Sequence, residues 1–422
     1  METQLETKVE NGKVWFSLPV VELKGSFLEK EERIQEMLNE IGGEVSKELL
    51  KTYDTTGAPI EIDGVKYTSK GQEKKKYETL YKTIEVERHV YQHSGGGSTY
   101  IPLEVGIGFY GSSSPLLCKI VSMKYAFVSA GFVRHEMLIS HKRLISNTLI
   151  QHIGERIGAI AQEKRSDWTY SLPDFEEEIC TVGVGLDGTC SPIKGEGFKE
   201  VMCGNLSFYN KEGERLHTTY VGHSPESGKE GFYNLLSEEI TQAKIMCKAA
   251  NFVGIADGAS SNWTYLSGRV STEIIDFFHV AEYVSAVAKE MYSRKDYRKE
   301  WLEESLHGLK HTDGYAQKIL SQLKIWKEYV PKPSIQIVLA KTITYFENHI
   351  NQMDYPTYVK KGFPIGSGVT ESACKTLVKQ RFNLSGSQWS REQMDNLLTL
   401  RALILSGRWE QFWQNLSSKN AA

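Results

Sequence analysis

The chain has 422 residues, which is enough for two or three domains and at least one large hydrophobic core. Its composition, with 40% hydrophobic and 24% charged residues, is that of an ordinary globular protein and excludes the disordered and fibrous classes. The formal net charge of −3 does not suggest a nucleic-acid-binding protein, although such binding depends on local patches of charge and not on the total.

The cysteines and the apolar segments set further limits. The six cysteines are scattered and form no CxxC pair of the kind that binds zinc, so we expect free thiols in a reducing cytosol. The stretch METQLETKVENGK is polar and acidic where a secretory signal needs a basic start and an apolar run. The most apolar helical stretch, IIDFFHVAEYVSAVAKEM, is interrupted by three ionisable residues and is too short to span a bilayer. We therefore expect a cytoplasmic protein with no membrane partner.

The first 110 residues predict a helical segment followed by a small β module. Residues 25–52 combine helical periodicity and many charged residues with a double glycine in the middle, which predicts a surface helical hairpin. Residues 58–110 change to alternating strands separated by glycine-rich turns. The role of the residues before about 75 stays open.

Between residues 111 and 170 the pattern becomes helical and basic. The segment SAGFVRHEMLISHKRLISNTLIQHIGERIGAIAQEKR predicts a short helix, a turn at LISH and a second helix, as in a helix-turn-helix. Its basic residues outnumber its glutamates, and contact with phosphates requires such an excess. The candidate DNA-contacting residues are Lys142, Arg143 and Arg156. A helical bundle with a solvated charged face explains the same pattern.

From residue 171 the chain alternates strands and helices. The stretch CTVGVGLDGT places valines and a leucine on one face of a strand and leaves glycines and Asp187 on the other. Two more strands and a helix follow, and then a strand that ends at Asp257 in ANFVGIADGASSNW. A short fifth strand runs into the helix of STEIIDFFHVAEYVSAVAKEMY. This is the order of elements in a ribonuclease-H-like core, which carries acids on its first and fourth strands.

A third acid completes such a core only after a helical insertion. Residues 290–360 show long helical patterns and no acid flanked by glycine turns. Glu371 then follows PIGSG, in the first turn of a helix that also carries Lys375, Lys379 and Arg381. An acid within a basic helix is what a metal site beside a DNA strand requires.

The predicted fold class is α/β, with a ribonuclease-H-like mixed sheet and helices interrupted by an all-helical insertion. A small β module and a helical DNA-binding region precede this core. The predicted domains are, in chain order, 1–110, 111–170, 171–289, 290–360 and 361–422.

Three converging carboxylates suit a pair of magnesium ions. Mg²⁺ prefers oxygen ligands, and attack on a phosphodiester is served by two ions about 3.5–4 Å apart that stabilise the attacking and leaving oxygens. We predict that Asp187, Asp257 and Glu371 bind this pair, with Mn²⁺ as a substitute. An Asp-Gly after a strand is also a common turn, and a glutamate in a first helical turn gains about 0.3–1 kcal/mol from the helix dipole. These ordinary roles explain each acid singly, but not the three acids together with the basic helix.

Several motifs occur in an order that is typical of one family. The run PIGSGVTESACKTLVKQRF followed by GSQWS, with GLDGT, ADGASSNW, IIDFFHVAEYV and LRALILSGRWEQFW, resembles the DDE transposases of bacterial insertion sequences, most closely the Kra-type group. The resemblance extends from about residue 75 to the carboxy terminus. It implies a ribonuclease-H-like catalytic domain, an amino-terminal DNA-binding region and Mg²⁺-dependent cutting and joining of element ends. It also implies double-stranded DNA partners (terminal inverted repeats and target DNA), a homo-oligomer on DNA, and a bacterial cytoplasmic location at the nucleoid.

The resemblance assigns the catalytic acids residue by residue. The first aspartate matches Asp187 in GLDGT, and the glutamate matches Glu371 in SGVTESA. The middle aspartate matches Asp257 in ADGAS at a strand end, whereas Asp276 in IIDFFHV lies in another recurrent motif and is the alternative. With Asp257 as the middle acid, Asp276 and His279 orient the ligands or contact DNA.

Other features leave alternatives open. Trp389 in GSQWS is a candidate for stacking on a displaced base, although packing is the favoured interpretation, as it is for Trp409 and Trp413. Many members of the family carry cysteine pairs that YQHSGGGSTYIPLE lacks, so no structural zinc is expected. GVGLDG matches the dinucleotide fingerprint GxGxxG, but TCSPIKGEGF follows where a helix should begin. The alternative functions are a ribonuclease-H-like nuclease or resolvase, and a domesticated DNA-binding protein.

Overall fold

The computed structural model describes residues 6–10, 13–17, 24–108 and 110–418 as a mixed α/β protein. Its contacts divide the chain into two compact units. Unit 1 contains Met1–Trp168 and Arg408–Ala422, and unit 2 contains Thr169–Gly407. The division differs from the predicted domains at the carboxy terminus, because the residues from 408 onward belong to unit 1 and not to the segment that carries Glu371.

Unit 1 begins with a two-stranded antiparallel ribbon, a long helix and a four-stranded antiparallel sheet. These elements are β1 (Glu6–Glu10), β2 (Lys13–Ser17), α1 (Phe27–Lys51), β3 (Ile60–Ile62), β4 (Val65–Glu78), β5 (Thr83–His93) and β6 (Thr99–Tyr100). The larger sheet has the order β3-β4-β5-β6. Alternate residues of β5 are buried, and Ile84 and Val86 pack in a small core with Tyr77 and Leu103.

Helix α1 is continuous, so the predicted helical hairpin at residues 25–52 is wrong. The double glycine lies within the helix because each glycine faces a side chain of the turn between β4 and β5. A Cβ on Gly42 would lie 2.5 Å from the Tyr81 ring, and a Cβ on Gly43 would collide with the Lys82 side chain. Close packing, and not a turn, therefore explains the pair of glycines.

Four helices follow the sheet of unit 1. They are α2 (Pro102–Ile107), α3 (Pro115–Phe127), α4 (Ala130–His141) and α5 (Asn147–Glu163). Both α3 and α4 pack against α5. The LISH stretch at residues 138–141, where we expected a turn, forms the last turn of α4 instead, because the helix ends at Lys142 in the left-handed conformation with φ 50°. The predicted pair of helices is present, and contact of this pair with DNA stays a prediction.

Unit 2 is built on a five-stranded mixed sheet. Its first elements are β7 (Thr181–Ile193), β8 (Gly197–Tyr209), β9 (Arg215–His223), α6 (Glu230–Met246), β10 (Asn251–Ala256), α7 (Ser260–Leu266), β11 (Thr272–Ile275) and α8 (Phe277–Met291). The strand order is β11-β10-β7-β8-β9. Strands β7, β8 and β9 are antiparallel, whereas β10 lies parallel to β7 and β11 lies parallel to β10. The predicted order of three strands, a helix, two strands and a helix is confirmed, with the short α7 as an addition.

A helical segment follows α8 and packs on β10 and β11. It contains α9 (Lys295–His311), α10 (Tyr315–Tyr329), α11 (Pro333–His349), a 3₁₀ turn (Ile350–Gln352) and α12 (Tyr355–Lys360). Buried residues of these helices, such as Leu339 and Phe346, pack with Val253 and Ile274 of the sheet and Val284 of α8. The helical patterns predicted for residues 290–360 are therefore confirmed.

The last helices of the chain are divided between the units. Unit 2 ends with α13 (Gly368–Ala373), a π-helical turn (Cys374–Lys379), α14 (Gln380–Phe382) and α15 (Arg391–Leu405), and unit 1 receives α16 (Trp409–Ser418). Trp409 and Trp413 are buried, which confirms that they pack. Over the part of the chain that the structure describes, every helix is too short or too polar to traverse a lipid bilayer.

Candidate active site

Helix α13 lies directly on the glycine face of β7. A Cβ on Gly185 would collide with the Thr370 hydroxyl and would lie 2.8 Å from Asn205 Oδ1, so glycine alone lets the helix approach this closely. The Thr370 hydroxyl donates to Asn205 Oδ1 at 2.7 Å in the buried contact between helix and sheet. The glycines of CTVGVGLDGT are therefore explained by the close approach of the helix that carries Glu371.

Asp187 lies on the same face of β7 and is half-buried. Its Oδ1 accepts from the Gly188 amide at 2.7 Å, and its Oδ2 accepts from the Cys374 thiol at 3.7 Å. Burial raises the pKa of Asp187, and the negative charges of Asp257 and Glu371 raise it further. The three predicted acids therefore lie in one region of unit 2. Among the described residues, however, the ligand atoms that all lie within 4.8 Å of one another belong to Asp276, His279 and Glu371, and not to the predicted trio.

Asp257 follows the last residue of β10, at the strand end next to Asp187, because β10 and β7 run parallel side by side. Its Oδ1 accepts from the Ala259 amide at 3.1 Å and from Asn262 Nδ2 at 3.0 Å. Its Oδ2 has no hydrogen-bond donor within the described part of the chain. Asp257 thus presents one oxygen to a ligand while the other is held in place.

Asp276 is the most buried acid of the group, with no exposed surface. Its Oδ1 caps α8 by accepting from the amides of Phe278 at 2.5 Å and His279 at 3.1 Å. Its Oδ2 accepts from the Ser367 amide at 2.6 Å. Backbone donors therefore engage both oxygens, which suits a structural link better than a metal ligand.

Ser367 connects Asp276 to Glu371. Its carbonyl accepts from the Glu371 amide at 3.0 Å, and its hydroxyl donates to Glu371 Oε1 at 3.4 Å. On the other side, the Asp276 amide donates to the carbonyl of Ala256, which precedes Asp257, at 3.0 Å. Asp276 therefore joins the end of β10 to the start of the Glu371 helix and fixes the separation of two predicted acids.

The alternative residues of the site also converge. One ligand atom each of Asp276, His279 and Glu371 lies within 4.8 Å of the other two, and His279 is half-buried while Glu371 is exposed. None of the carboxylates of Asp187, Asp257, Asp276 or Glu371 forms an ion pair with a lysine or arginine of the described residues. Negative charge that no protein cation offsets favours the binding of a metal cation.

The Tyr345 hydroxyl is a polar group near the acids that no sequence pattern reveals. Its ring stacks on Tyr283 with 4.0 Å between centroids, and its hydroxyl is buried without a hydrogen-bond partner among the described residues. Burial raises the pKa of Tyr345, and the charges of Tyr283, Asp276 and Asp257 raise it further. The hydroxyl is therefore a buried donor without a partner among the described residues, close to the predicted acids.

The candidate DNA-contacting residues of unit 2 separate into exposed and buried ones. Lys375 and Lys379 are exposed on the helix after Glu371. Arg381 is buried, and its guanidinium lies 4.6 Å from the ring centroid of Trp389, which is buried as well. Burial argues against contact of Arg381 with a phosphate, and it agrees with packing as the role of Trp389.

The candidate DNA-contacting residues of unit 1 differ in the same way. Arg156 is exposed on α5. Lys142 is half-buried and ion-paired with Glu32. Arg143 is buried and ion-paired with Glu78 of the sheet, so its guanidinium links two elements of the unit and is out of reach of a DNA backbone.

No protein-family model matches the chain, and no curated protein matches it either. The resemblance to DDE transposases therefore rests on the sequence motifs themselves. Function has to follow from the arrangement of Asp187, Asp257, Glu371 and the residues that hold them.

Proposed function

We propose that this protein is a DDE transposase, which binds the ends of an insertion sequence, cuts DNA there and joins the freed 3′-hydroxyl to target DNA. The observation that carries the proposal is the placement of three acids around β7: Asp187 lies on this strand, Asp257 follows its parallel neighbour β10, and the helix of Glu371 packs on its glycine face. These acids come from a strand, a strand end and a helix that are far apart in sequence. Their convergence matches the demand of phosphodiester chemistry for several carboxylates at one place.

The fold that we propose for unit 2 is ribonuclease-H-like. Three antiparallel strands, a helix and two further parallel strands support this assignment, as does the order β11-β10-β7-β8-β9. The first acid lies on the central strand and the second lies at the end of its parallel neighbour. The helices α9 to α12 then form the insertion that precedes the third acid.

Asp187, Asp257 and Glu371 would hold Mg²⁺, or Mn²⁺ in its place, as a pair of ions. The fit rests on the oxygen donors, on the negative charge that no lysine or arginine offsets among the described residues, and on the partial exposure of these acids. When bound, such ions supply the positive charge that stabilises the attacking and leaving oxygens of a phosphodiester.

Other residues around the three acids support this site. Asp276 positions the Glu371 helix through Ser367. Lys375 and Lys379 lie on the helix that begins next to the acids, and there they can bind the phosphates of the strand being cut. On this proposal Glu371 lies at the start of the segment, and the exposed Lys375 and Lys379 follow it about one and two turns later.

A strand-cleavage and strand-transfer assay tests the proposal. The substrate is duplex DNA with the sequences that flank the coding region, incubated with protein and Mg²⁺, Mn²⁺ or EDTA. We expect cuts at the element ends and joined products with target DNA, both only with a divalent ion. Glu371→Gln should bind DNA and cut none, whereas Glu392→Gln, a change at another first-turn glutamate, should leave cutting intact. Normal cutting by Glu371→Gln would contradict the assignment.

The same assay separates the alternatives. A ribonuclease-H-like nuclease or a resolvase would cut in a metal-dependent way but would give no product joined to target DNA. A domesticated DNA-binding protein would bind DNA and leave it uncut with either ion. Because two element ends must meet, we also propose a homo-oligomer on DNA, which light scattering with and without the element ends would detect.

A further inference from the structure

A large aromatic side chain is exposed directly beside the acids. Phe278 has 62% of its surface exposed, although it lies in the first turn of α8, two residues after Asp276. Its amide donates to Asp276 Oδ1 at 2.5 Å, which fixes its backbone at the site. Val280 and Val284 of the same helix are buried in the core of unit 2, whereas the Phe278 ring lies outside that core.

The Phe278 ring is braced on one side. A Cβ on Gly366 would lie 2.8 Å from the ring, so the ring rests on the loop that leads to Glu371. Phe277 packs edge-on with 5.9 Å between centroids, and it packs in turn on Tyr355 at 5.1 Å. An aromatic face that is held on one side and exposed on the other can receive a flat ligand.

The surroundings of Phe278 favour a polar ligand over an apolar protein partner. The next residue, His279, and Glu282 one turn on are ionisable, and they lie 3.6 Å apart between Nδ1 and Oε2. Glu371 is exposed within 4.8 Å of the His279 ligand atom. A docking protein would meet charged groups around a single ring, whereas a nucleotide combines a flat base with a phosphate that belongs at the acids.

We infer that Phe278 stacks on an unpaired nucleobase next to the phosphodiester that is held at the acids. This inference rests on the proposed function, because the acids must first bind the phosphate through metal ions. A phosphate bound there brings its flanking bases to the edge of the sheet where the ring lies. A base presents its face only when it has left the duplex stack, so the site selects single-stranded, frayed or flipped nucleotides over intact duplex.

Oligonucleotide binding with Ca²⁺, which supports binding without cutting, tests the inference. The probes are a single-stranded oligothymidine and a duplex of the same length. Phe278→Ala should weaken binding of the single strand roughly 5- to 100-fold, while Phe278→Trp should retain it. Binding of the duplex should change less than about threefold in both variants. Tyr329→Ala removes another aromatic residue, 73% exposed on α10, and should leave both affinities unchanged.

A photochemical cross-link gives a second readout. An oligonucleotide with 5-iodouracil should cross-link to Phe278 in the wild-type protein, as mass spectrometry of the peptides would show. Equal single-strand affinity of Phe278→Ala and wild type, with no cross-link at Phe278, would overturn the inference and leave metal-dependent DNA binding, and so the proposed function, intact. A wild-type protein that binds neither probe with any divalent ion would overturn both.

Discussion

The Asp276 carboxylate and the Ser367 amide are joined by a hydrogen bond of 2.6 Å across 91 positions of sequence. Asp276 has no exposed surface, and its three amide donors stabilise the carboxylate in place of water. This bond separates the roles of the two candidate middle acids. Asp276 is engaged by the backbone, whereas Asp257 is half-buried and keeps one oxygen available, so Asp257 fits the proposed role of metal ligand better.

Asp276→Asn should detach the Glu371 helix from β10. The amide oxygen of asparagine can still cap α8, but its NH₂ group would meet the Ser367 amide, and two donors cannot bond. We expect a loss of about 1–3 kcal/mol in the free energy of unfolding and a fall in metal-dependent cleavage. Urea unfolding and the cleavage assay measure the two effects.

Asp395→Asn is the matched control for that variant. Asp395 forms a similar clamp elsewhere in unit 2, since its oxygens accept from the amide and the hydroxyl of Ser224 at 2.6 and 2.7 Å. It should lose comparable stability without loss of cleavage by the folded protein. Equal loss of cleavage in both variants would show that Asp276 acts through general stability only.

Gly185→Ala should push α13 away from β7. The added methyl group would collide with the Thr370 hydroxyl, and overpacking of this kind costs about 1–3 kcal/mol. Because Glu371 follows Thr370, cleavage should fall by more than the loss of folded protein explains. Gly368→Ala is the control, since a Cβ there meets no atom within 4 Å, and it should behave as wild type in thermal unfolding and cleavage.

The ionisation of Asp187 should destabilise the metal-free protein. The pKa of Asp187 is raised in the folded state above the ordinary value of 3.8, so folding favours its protonated form. That stabilisation is fully present below pH 3.8 and is lost as the pH rises through the higher folded-state pKa. Asp187→Asn should therefore unfold at higher urea than wild type at pH 7 in EDTA, with an advantage that shrinks as the pH falls. An advantage independent of pH would contradict the assigned electrostatic cause.

Divalent cations should stabilise the wild-type protein by binding at the same acids. At a concentration one hundred times the dissociation constant, the expected gain is about 2.7 kcal/mol, because the ion binds the folded state and not the unfolded one. Differential scanning calorimetry with Mn²⁺ measures this gain as a rise in Tm. The double variant Asp187→Asn with Asp257→Asn should show no rise, and NaCl at equal ionic strength controls for screening.

The two glycines of α1 should respond differently to alanine. At Gly42 the methyl group would press on the Tyr81 ring, and we expect a loss of about 1–3 kcal/mol despite the better helix propensity of alanine. At Gly43 it would meet the Lys82 side chain, whose Cγ would lie 2.5 Å away and whose ammonium group is paired with Glu40 and Glu44. An aliphatic chain can shift more easily than a ring, so Gly43→Ala should cost less than Gly42→Ala, up to about 1 kcal/mol, as thermal unfolding of the two variants would show.

The local pattern of the sequence determined the elements of unit 2 and placed the acids on them. Alternation in CTVGVGLDGT gave the strand and its two faces, and turn residues after ANFVGIA placed Asp257 at a strand end. The long helical patterns between 290 and 360 gave the segment that separates Glu371 from the other acids. These features depend on neighbours within a few positions, so periodicity and turn chemistry reveal them.

Only the tertiary structure decided which side chains are available to bind DNA, a metal ion or another ligand. The sequence pattern predicts Arg143 and Arg381 to be surface cations, but both are buried. It also predicts a turn at the double glycine of α1, where the structure has a close packing contact. The bond between Asp276 and Ser367 and the exposed ring of Phe278 have no local signal. The physical reason is that burial and hydrogen bonding of a side chain are set by elements far away in sequence, whose positions become known only when the sheet and helices pack.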